Sequence, residues 1–140
     1  KPIFISTGFN IKNKQIFTCL KYFKKKRGLS ILHTPMSYKI SELNFKRILE
    51  LKRKFKIPVG YSNHNNNFNT LNLLSSYKPS SIFLYCKPSE VKGRKYPDDN
   101  HAIFLDKLEN IKKDYFNFNN IHQSDKKIIK VDIFKNGIKK

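Results

Sequence analysis

The chain alternates short runs that are apolar throughout with longer stretches in which apolar residues recur at helical spacing. The apolar runs lie at 3–5, 29–32, 57–59 and 82–85. Each is followed by a helical pattern, and the four patterns are Ile16, Phe17, Leu20 and Phe23; Phe45, Ile48, Leu49 and Phe55; Leu71, Leu74 and Tyr77; and Phe104, Leu105, Leu108, Ile111 and Tyr115. Strands without polar alternation are typical of a sheet buried on both faces, so four βα units with a parallel sheet are predicted.

Two α/β architectures accommodate four such units: an open doubly wound sheet, or part of a (β/α)8 barrel. A whole barrel takes about 250 residues, so a chain of 140 residues would supply about half of one. No G-x-G-x-x-G follows the first apolar run, so a dinucleotide-binding fold lacks its fingerprint.

The chain is strongly basic, with a formal net charge of +19. One interpretation is a protein that binds nucleic acid or an acidic membrane surface. The favoured interpretation is that AT-rich coding accounts for the many lysines, because they are spread along the chain and only 24–27 (KKKR) is a dense run. No apolar run approaches the roughly 18 residues of a membrane span. Cys19 and Cys86 lack CxxC spacing, so a reducing cytoplasm is the expected location.

Polar residues follow each apolar run, at the point where the predicted strand ends. These segments are 6–8 (STG), 33–38 (HTPMSY), 60–64 (GYSNH) and 85–89 (YCKPS), and a polar loop, 96–101 (YPDDNH), comes later. The carboxyl ends of parallel strands meet at one edge of a sheet or barrel, so a site is predicted there. At these ends His33, Tyr61 and Tyr85 are expected to pack, and the polar loop with His101 is either a lid or a solvated turn.

In order and spacing these segments resemble the sialic acid synthase (N-acetylneuraminate synthase) family. Residues 1–8 (KPIFISTG) match its lysine-proline-apolar-serine-threonine-glycine segment, and 32–34 with Tyr38 match its leucine-histidine-cysteine segment and following tyrosine. Residues 60–64 match its glycine-tyrosine-serine-aspartate-histidine motif, with asparagine for aspartate, and 97–98 resemble its proline-aspartate-histidine loop. The resemblance runs from Lys1 to about Tyr115 and implies an α/β fold, the C-terminal half of a (β/α)8 TIM barrel.

The resemblance also implies an activity, the condensation of phosphoenolpyruvate with an N-acetylated amino sugar to a nine-carbon sugar acid with release of phosphate. A divalent metal, manganese or magnesium, would activate the sugar aldehyde as a Lewis acid. It further implies a homodimer of the full-length protein. By resemblance, the expected site residues are Ser6 and Ser62 for phosphoenolpyruvate, Asn63 as a further substrate-binding residue, Tyr38 and Asp98 for the sugar, with Tyr38 also catalytic, and His64 for the metal.

The chain departs from the family at the second metal ligand, a histidine on the last strand. Placing Ser89 on the threonine of that family segment puts Lys87 on the histidine, and an ammonium has no lone pair for a metal. One hypothesis makes Lys87 catalytic, with its charge in the place of the metal; the other is a site that has drifted. A slip of one residue would instead make Cys86 a ligand. Met36 takes the place of a residue that faces the phosphate.

Past Tyr115 the pattern changes, and three parts are predicted: half of a synthase barrel over 1–117, a linker over 118–127, and the start of an antifreeze-like β domain over 128–140. Half a barrel leaves two open sheet edges, so the segment alone is expected to be poorly soluble or partnered. It is also expected to be inactive, because the missing half would supply further phosphate-binding and acid–base groups. Two alternatives from other classes stay open, a basic α/β domain that binds nucleic acid and a sugar-binding homologue without catalysis.

Overall fold

The computed structural model describes residues 1–8, 11–88, 95–96 and 98–123, and its main feature is a parallel sheet of four strands. The strands are β1 Ile3–Ser6, β2 Leu29–His33, β3 Val59–Ser62 and β4 Ile82–Phe83, and they lie in the order β1-β2-β3-β4. All three neighbouring pairs are parallel. The described sheet has no point at which strand order reverses, as a doubly wound sheet would. The parallel sheet is confirmed, and its order favours a barrel wall.

In the described part of the chain four helices accompany the strands: α1 Asn13–Lys21, α2 Lys46–Phe55, α3 Thr70–Leu74 and α4 Leu105–Gln123. Two 3₁₀ turns, Ile40–Glu42 and Ser75–Tyr77, precede α2 and follow α3. None of the described helices is both long and apolar enough to cross a membrane.

The last helix runs across the predicted domain boundary at 117. Because α4 continues to Gln123, residues 118–123 of the predicted linker are helical, and the boundary at 117 falls inside the helix. The polar composition after Tyr115 was the basis for the linker, but a helix tolerates a polar outer face. Residues 124–140, with the predicted start of the β domain, lie outside the described part of the chain.

The apolar core lies between one face of the sheet and the helices. Ile31, Val59 and Tyr61 have no exposed surface and belong to one cluster with residues of α1, α2 and α3. On α2 the buried residues are Ile48, Leu51 and Phe55, three and seven residues apart. Leu49 was predicted in this stripe, but it is 49% exposed, because one residue beyond Ile48 a helix has turned by about 100°.

The opposite face of the sheet is concave. The rings of Phe4 on β1 and Phe83 on β4 have centroids 4.8 Å apart, although two strands lie between them. In a flat sheet the two backbones would be about 14 Å apart, so the sheet curls toward this face. A Cβ on Gly60 would lie 2.8 Å from Leu32 Cδ2 and 2.3 Å from Ser81 Oγ. The absent side chain therefore lets neighbouring strands close over β3. Such curvature suits a barrel wall, and the half barrel itself stays a prediction.

A second, smaller sheet pairs β5 Cys86–Lys87 with β6 Ile103–Phe104 in parallel. Of the fourth predicted strand, 82–85, only Ile82 and Phe83 belong to the main sheet. The chain then continues into β5. Phe104 was predicted in the last helix, but it lies in β6, because Ile103 is buried and pairs with Cys86. The backbone N–H of Ile103 donates to the Tyr85 carbonyl at 2.8 Å, which brings the loop before β6 next to the end of β4.

The close contacts at Gly60 predict that Gly60→Ala destabilises the protein. The added methyl would overlap Leu32 and the Ser81 backbone oxygen at 2.8 Å, and overpacking of this kind costs about 1–3 kcal/mol. Urea unfolding of the full-length protein measures the change. Leu49→Ala, on the exposed side of α2, is the control and should change the free energy of unfolding by less than about 0.5 kcal/mol. Equal stability of Gly60→Ala and the wild type would contradict the close packing at β3.

Candidate functional site

Five side chains converge beyond the carboxyl ends of β3 and β4, and we call them the imidazole cluster: Tyr38, His64, Tyr85, Asp98 and His101. Tyr85 Oη lies 3.3 Å from His64 Nε2, and Tyr38 Oη lies 3.5 Å from His101 Nδ1. The two imidazole rings have centroids 5.0 Å apart, and the Tyr85 ring meets that of His101 edge to face at 4.8 Å. The cluster brings together the predicted site residues Tyr38, His64 and Asp98.

The turn after β3 is built by asparagines. Asn63 Nδ2 donates to the Asn65 carbonyl at 2.8 Å, and Asn65 Nδ2 donates to the Tyr38 carbonyl at 2.7 Å. These bonds fix His64 and hold the Tyr38 loop against it. Asn63 is 1% exposed, and its amide is hydrogen-bonded within the turn. The structure thus shows a structural role for Asn63, and its role in substrate binding stays a prediction.

Each histidine of the cluster keeps one ring nitrogen open. His64 is 9% exposed and His101 is 5% exposed. His64 Nδ1 and His101 Nε2 are buried and find no hydrogen-bond partner among the described residues. Asp98 Oδ1 lies 3.7 Å from His101 Nε2, close enough for an ion pair with a protonated ring. Burial lowers the pKa of His64, and the charge that His101 can carry lowers it further, so the neutral His64 ring is favoured.

Lys87 holds the loop that carries His101. Its Nζ donates to Asp99 Oδ1 at 2.5 Å and to the Asp99 carbonyl at 3.1 Å, and lies 4.5 Å from the centroid of the Phe104 ring. An ammonium neutralised by a carboxylate is less able to polarise a substrate carbonyl. Its predicted catalytic role stays a prediction, and the contacts show a role in fixing the loop.

The other predicted residues lie on the concave face at the ends of β1 and β3. Ser6 Oγ and Thr34 Oγ1 are 2.8 Å apart, and the Gly8 N–H donates to Ser6 Oγ at 3.3 Å. Ser62, the last residue of β3, is buried and lies two residues before His64. A separate cavity of about 630 Å³ opens between the ends of β1 and β2 and the first turns of α2, and Met36 and Arg47 are among the residues that line it.

The cluster meets the requirements for a divalent metal in part. Two buried imidazole nitrogens without hydrogen bonds are suitable donors, since a neutral imidazole carries one lone pair. Within the described residues no group of three or more His, Cys, Asp or Glu side chains is arranged as a metal site. A metal here would therefore take two nitrogens from the protein.

Sequence reasoning undervalued two residues of the cluster. Tyr85 was expected only to pack and His101 only to belong to a lid or a solvated turn, yet both contact His64. The signal that unites them is the pairing of β5 with β6, which places the residue before β5 beside the loop before β6. Two-residue strands have no periodicity that could be recognised in the sequence.

His33, at the end of β2, is a packed histidine, as expected. Its Nε2 lies 2.8 Å from the Leu43 carbonyl, to which it donates, and its ring is buried on the helix face near Tyr61. Burial lowers the pKa of His33 below its usual value, and the bond to Leu43 opposes that change.

Comparisons with known proteins agree with one another. The model of the NeuB family matches residues 1–75. A solved structure of N-acetylneuraminic acid (sialic acid) synthetase from Leptospira borgpetersenii, in complex with citrate, has a TM-score of 0.77 and 20% identity, and the alignment covers 98% of this chain and 50% of that one. A spore coat polysaccharide biosynthesis protein E from Chromobacterium violaceum has a TM-score of 0.75 and 14% identity, with 97% and 42% covered. The chain thus spans half or less of these structures. No curated protein matches the sequence.

The lowered pKa of His33 predicts a pH-dependent stability. The unfolded chain binds a proton at His33 more readily than the folded one, so this contribution is complete above the usual imidazole pKa of about 6.5 and is lost as the pH falls below it. Unfolding of the full-length protein between pH 8 and pH 5 measures the loss. In His33→Gln, whose amide can still donate to Leu43 but does not titrate, the decline should be shallower. Parallel declines in the two proteins would show that His33 does not contribute.

Proposed function

Because this chain belongs to the NeuB family, we propose that the full-length protein condenses phosphoenolpyruvate with an N-acetylated amino sugar and releases phosphate. The observation that carries the proposal is the set of polar strand ends on the concave face, Ser6 and Ser62 beside the imidazole cluster. The family match supports the resemblance first seen in the motifs, and the structural neighbours support the fold.

The reaction forms one carbon–carbon bond and breaks one carbon–oxygen bond. The terminal carbon of phosphoenolpyruvate attacks the sugar aldehyde, whose oxygen takes up a proton and becomes a hydroxyl. Water adds to the carbon that bears the phosphate, phosphate leaves, and that carbon becomes a ketone. Phosphoenolpyruvate, aldehyde and water thus give a keto sugar acid and phosphate.

The chain's own hydroxyls would hold the anionic substrate. A phosphate or carboxylate needs several donors, and donors to a charged group form the stronger hydrogen bonds. Ser6 Oγ, Thr34 Oγ1 and the Gly8 N–H already lie within one hydrogen-bonded group at the end of β1. Ser62 approaches the same face from β3. Substrate bound between these ends would have its reacting carbon near the cluster.

The imidazole cluster would act on the sugar. The hydroxyls of Tyr38 and Tyr85 and the Asp98 carboxylate are the groups available to orient sugar hydroxyls or to move a proton at the aldehyde oxygen. His64 would hold a divalent metal, and when bound such a metal polarises the aldehyde as a Lewis acid. Burial of His64 and His101 keeps bulk water from this part of the site.

The proposal predicts that Ser62→Ala loses phosphoenolpyruvate binding. Removing one hydrogen bond to a charged phosphate or carboxylate costs about 1.5–3 kcal/mol, so kcat/KM should fall roughly 10- to 100-fold, chiefly through KM for phosphoenolpyruvate. Phosphate release by the full-length protein, measured with N-acetylated amino sugars, tests the change.

Ser30→Ala is the matched control, because Ser30 lies on β2 opposite Phe4, near the amino ends of the strands. Its kcat/KM should equal that of the wild type. An unchanged KM for phosphoenolpyruvate in Ser62→Ala would contradict the assignment of Ser62. If the protein binds both substrates and releases no phosphate, it is a sugar-binding homologue, and the proposed catalysis is wrong.

A further inference from the structure

We propose that His101 provides the second imidazole for a transition metal held by His64, and that Lys87 maintains this arrangement through Asp99. The inference rests on the proposed function and makes it specific to this chain. It explains how a metal site can persist although the residue aligned with the second metal histidine is Lys87. The donor would come from the loop before β6 and not from the strand.

The first step of the argument is the pair of unsatisfied nitrogens. Burying a polar atom without a partner costs about 1–3 kcal/mol, so each such atom requires an explanation. His64 Nδ1 and His101 Nε2 are both buried and have no hydrogen-bonding partner in the described part of the chain. They belong to two rings with centroids 5.0 Å apart. A shared metal ion would satisfy both lone pairs at once.

The second step is that the other nitrogen of each ring is already occupied. His64 Nε2 lies 3.3 Å from the Tyr85 hydroxyl, and His101 Nδ1 lies 3.5 Å from the Tyr38 hydroxyl. Metal binding would require the tautomers in which both hydroxyl oxygens accept, so that the rings carry their protons at these positions and their lone pairs at the unsatisfied nitrogens. Histidine ligands of metals commonly have their second nitrogen held in this way, which fixes the tautomer and the ring orientation.

The third step is the restraint on the loop. The backbone N–H groups of His101 and Ala102 both donate to the Asp98 carbonyl, at 3.1 and 3.0 Å, and form a tight turn. Lys87 holds the middle of this turn through the carboxylate and the carbonyl of Asp99, with its side chain 14% exposed. Lys87 is thus a positioning residue, since it contacts the loop that carries the imidazole.

The donor atoms indicate the class of metal. Imidazole nitrogens suit divalent transition metals, and magnesium prefers carboxylate, carbonyl and water oxygens. Affinity at nitrogen donors rises from manganese toward cobalt, nickel and copper. We therefore infer a site that binds a divalent transition metal and discriminates against Mg²⁺; Co²⁺ and Mn²⁺ are the spectroscopic probes of such a site.

The test is a titration of the metal-free, full-length protein with Co²⁺, followed by its visible ligand-field absorption and by calorimetry. The wild type should bind Co²⁺, and a tenfold excess of Mg²⁺ should not displace it. His64→Ala and His101→Gln should each lose at least tenfold in affinity and shift the absorption bands. His33→Gln, whose parent histidine is bonded to Leu43, is the control and should bind as the wild type does.

Lys87 is tested in the same titration. Lys87→Met removes the bond to Asp99 and should weaken Co²⁺ binding about tenfold, as loss of an outer-shell partner commonly does. Lys87→Arg keeps a cation for Asp99 and should restore most of the affinity. If Lys87→Met binds Co²⁺ as tightly as the wild type, the positioning role is wrong.

Pulsed EPR of the Mn²⁺-loaded wild type counts coordinated imidazoles without any substitution, which keeps the test independent of variant folding. Two imidazoles are expected. A single imidazole, or an unchanged Co²⁺ spectrum in folded His101→Gln, overturns the inference even where phosphate release is normal. Two imidazoles with no phosphate release would leave the inference standing and overturn the proposed function.

Discussion

The structure depends on the two-residue alternation of side chains along β3. Val59 and Tyr61 face the helices and have no exposed surface, whereas Gly60 and Ser62 face the concave side. The side chains that face the helices bury apolar surface against α2 and α3, and this burial stabilises the sheet by roughly 25 cal/mol per Å². The alternate residues, on the concave side, include the glycine that lets neighbouring strands approach and the polar side chain at the end of the strand. A shift of one residue would exchange the two sets and abolish both core and site.

The same alternation distinguishes the two histidines that end neighbouring strands. His33 pairs in register with Tyr61 and therefore faces the helices, where the Leu43 carbonyl accepts its N–H. His64, beyond the end of β3, lies on the other parity and keeps Nδ1 open. A fully hydrogen-bonded buried imidazole stabilises the fold, while one with an open nitrogen is available for chemistry. His33 and His64 are both histidines at the end of a strand, and they differ in which side of the sheet the alternation of side chains gives them.

Much of the fold could be predicted because apolar runs and helical spacing are local signals. The strands at 3–5 and 29–32 depend on residues within each run, and the structure confirms them. The third strand was predicted at 57–59, but it begins only at Val59 and continues to Ser62, through residues that were predicted to lie beyond its end. Leu49 was misplaced because apolar character alone does not fix the angular centre of a helix face. His64 and Tyr38 could be identified from motifs, but their contact with His101 and Tyr85 requires the pairing of two-residue strands. That pairing depends on tertiary contacts, and no periodic pattern in the sequence predicts it.

The lysine at position 87, where the family has a metal-binding histidine, changes the electrostatics of the site less than its positive charge alone would suggest. A free ammonium near the His64 ring would oppose the binding of any cation, but here the Asp99 carboxylate neutralises it and the Phe104 ring lies beneath it. The charges left at the cluster are then one carboxylate, Asp98, beside two imidazoles. Burial favours the neutral form of His64. The pairing of Lys87 with Asp99 thus removes a positive charge from the site and fixes the loop that brings Asp98 and His101 to it.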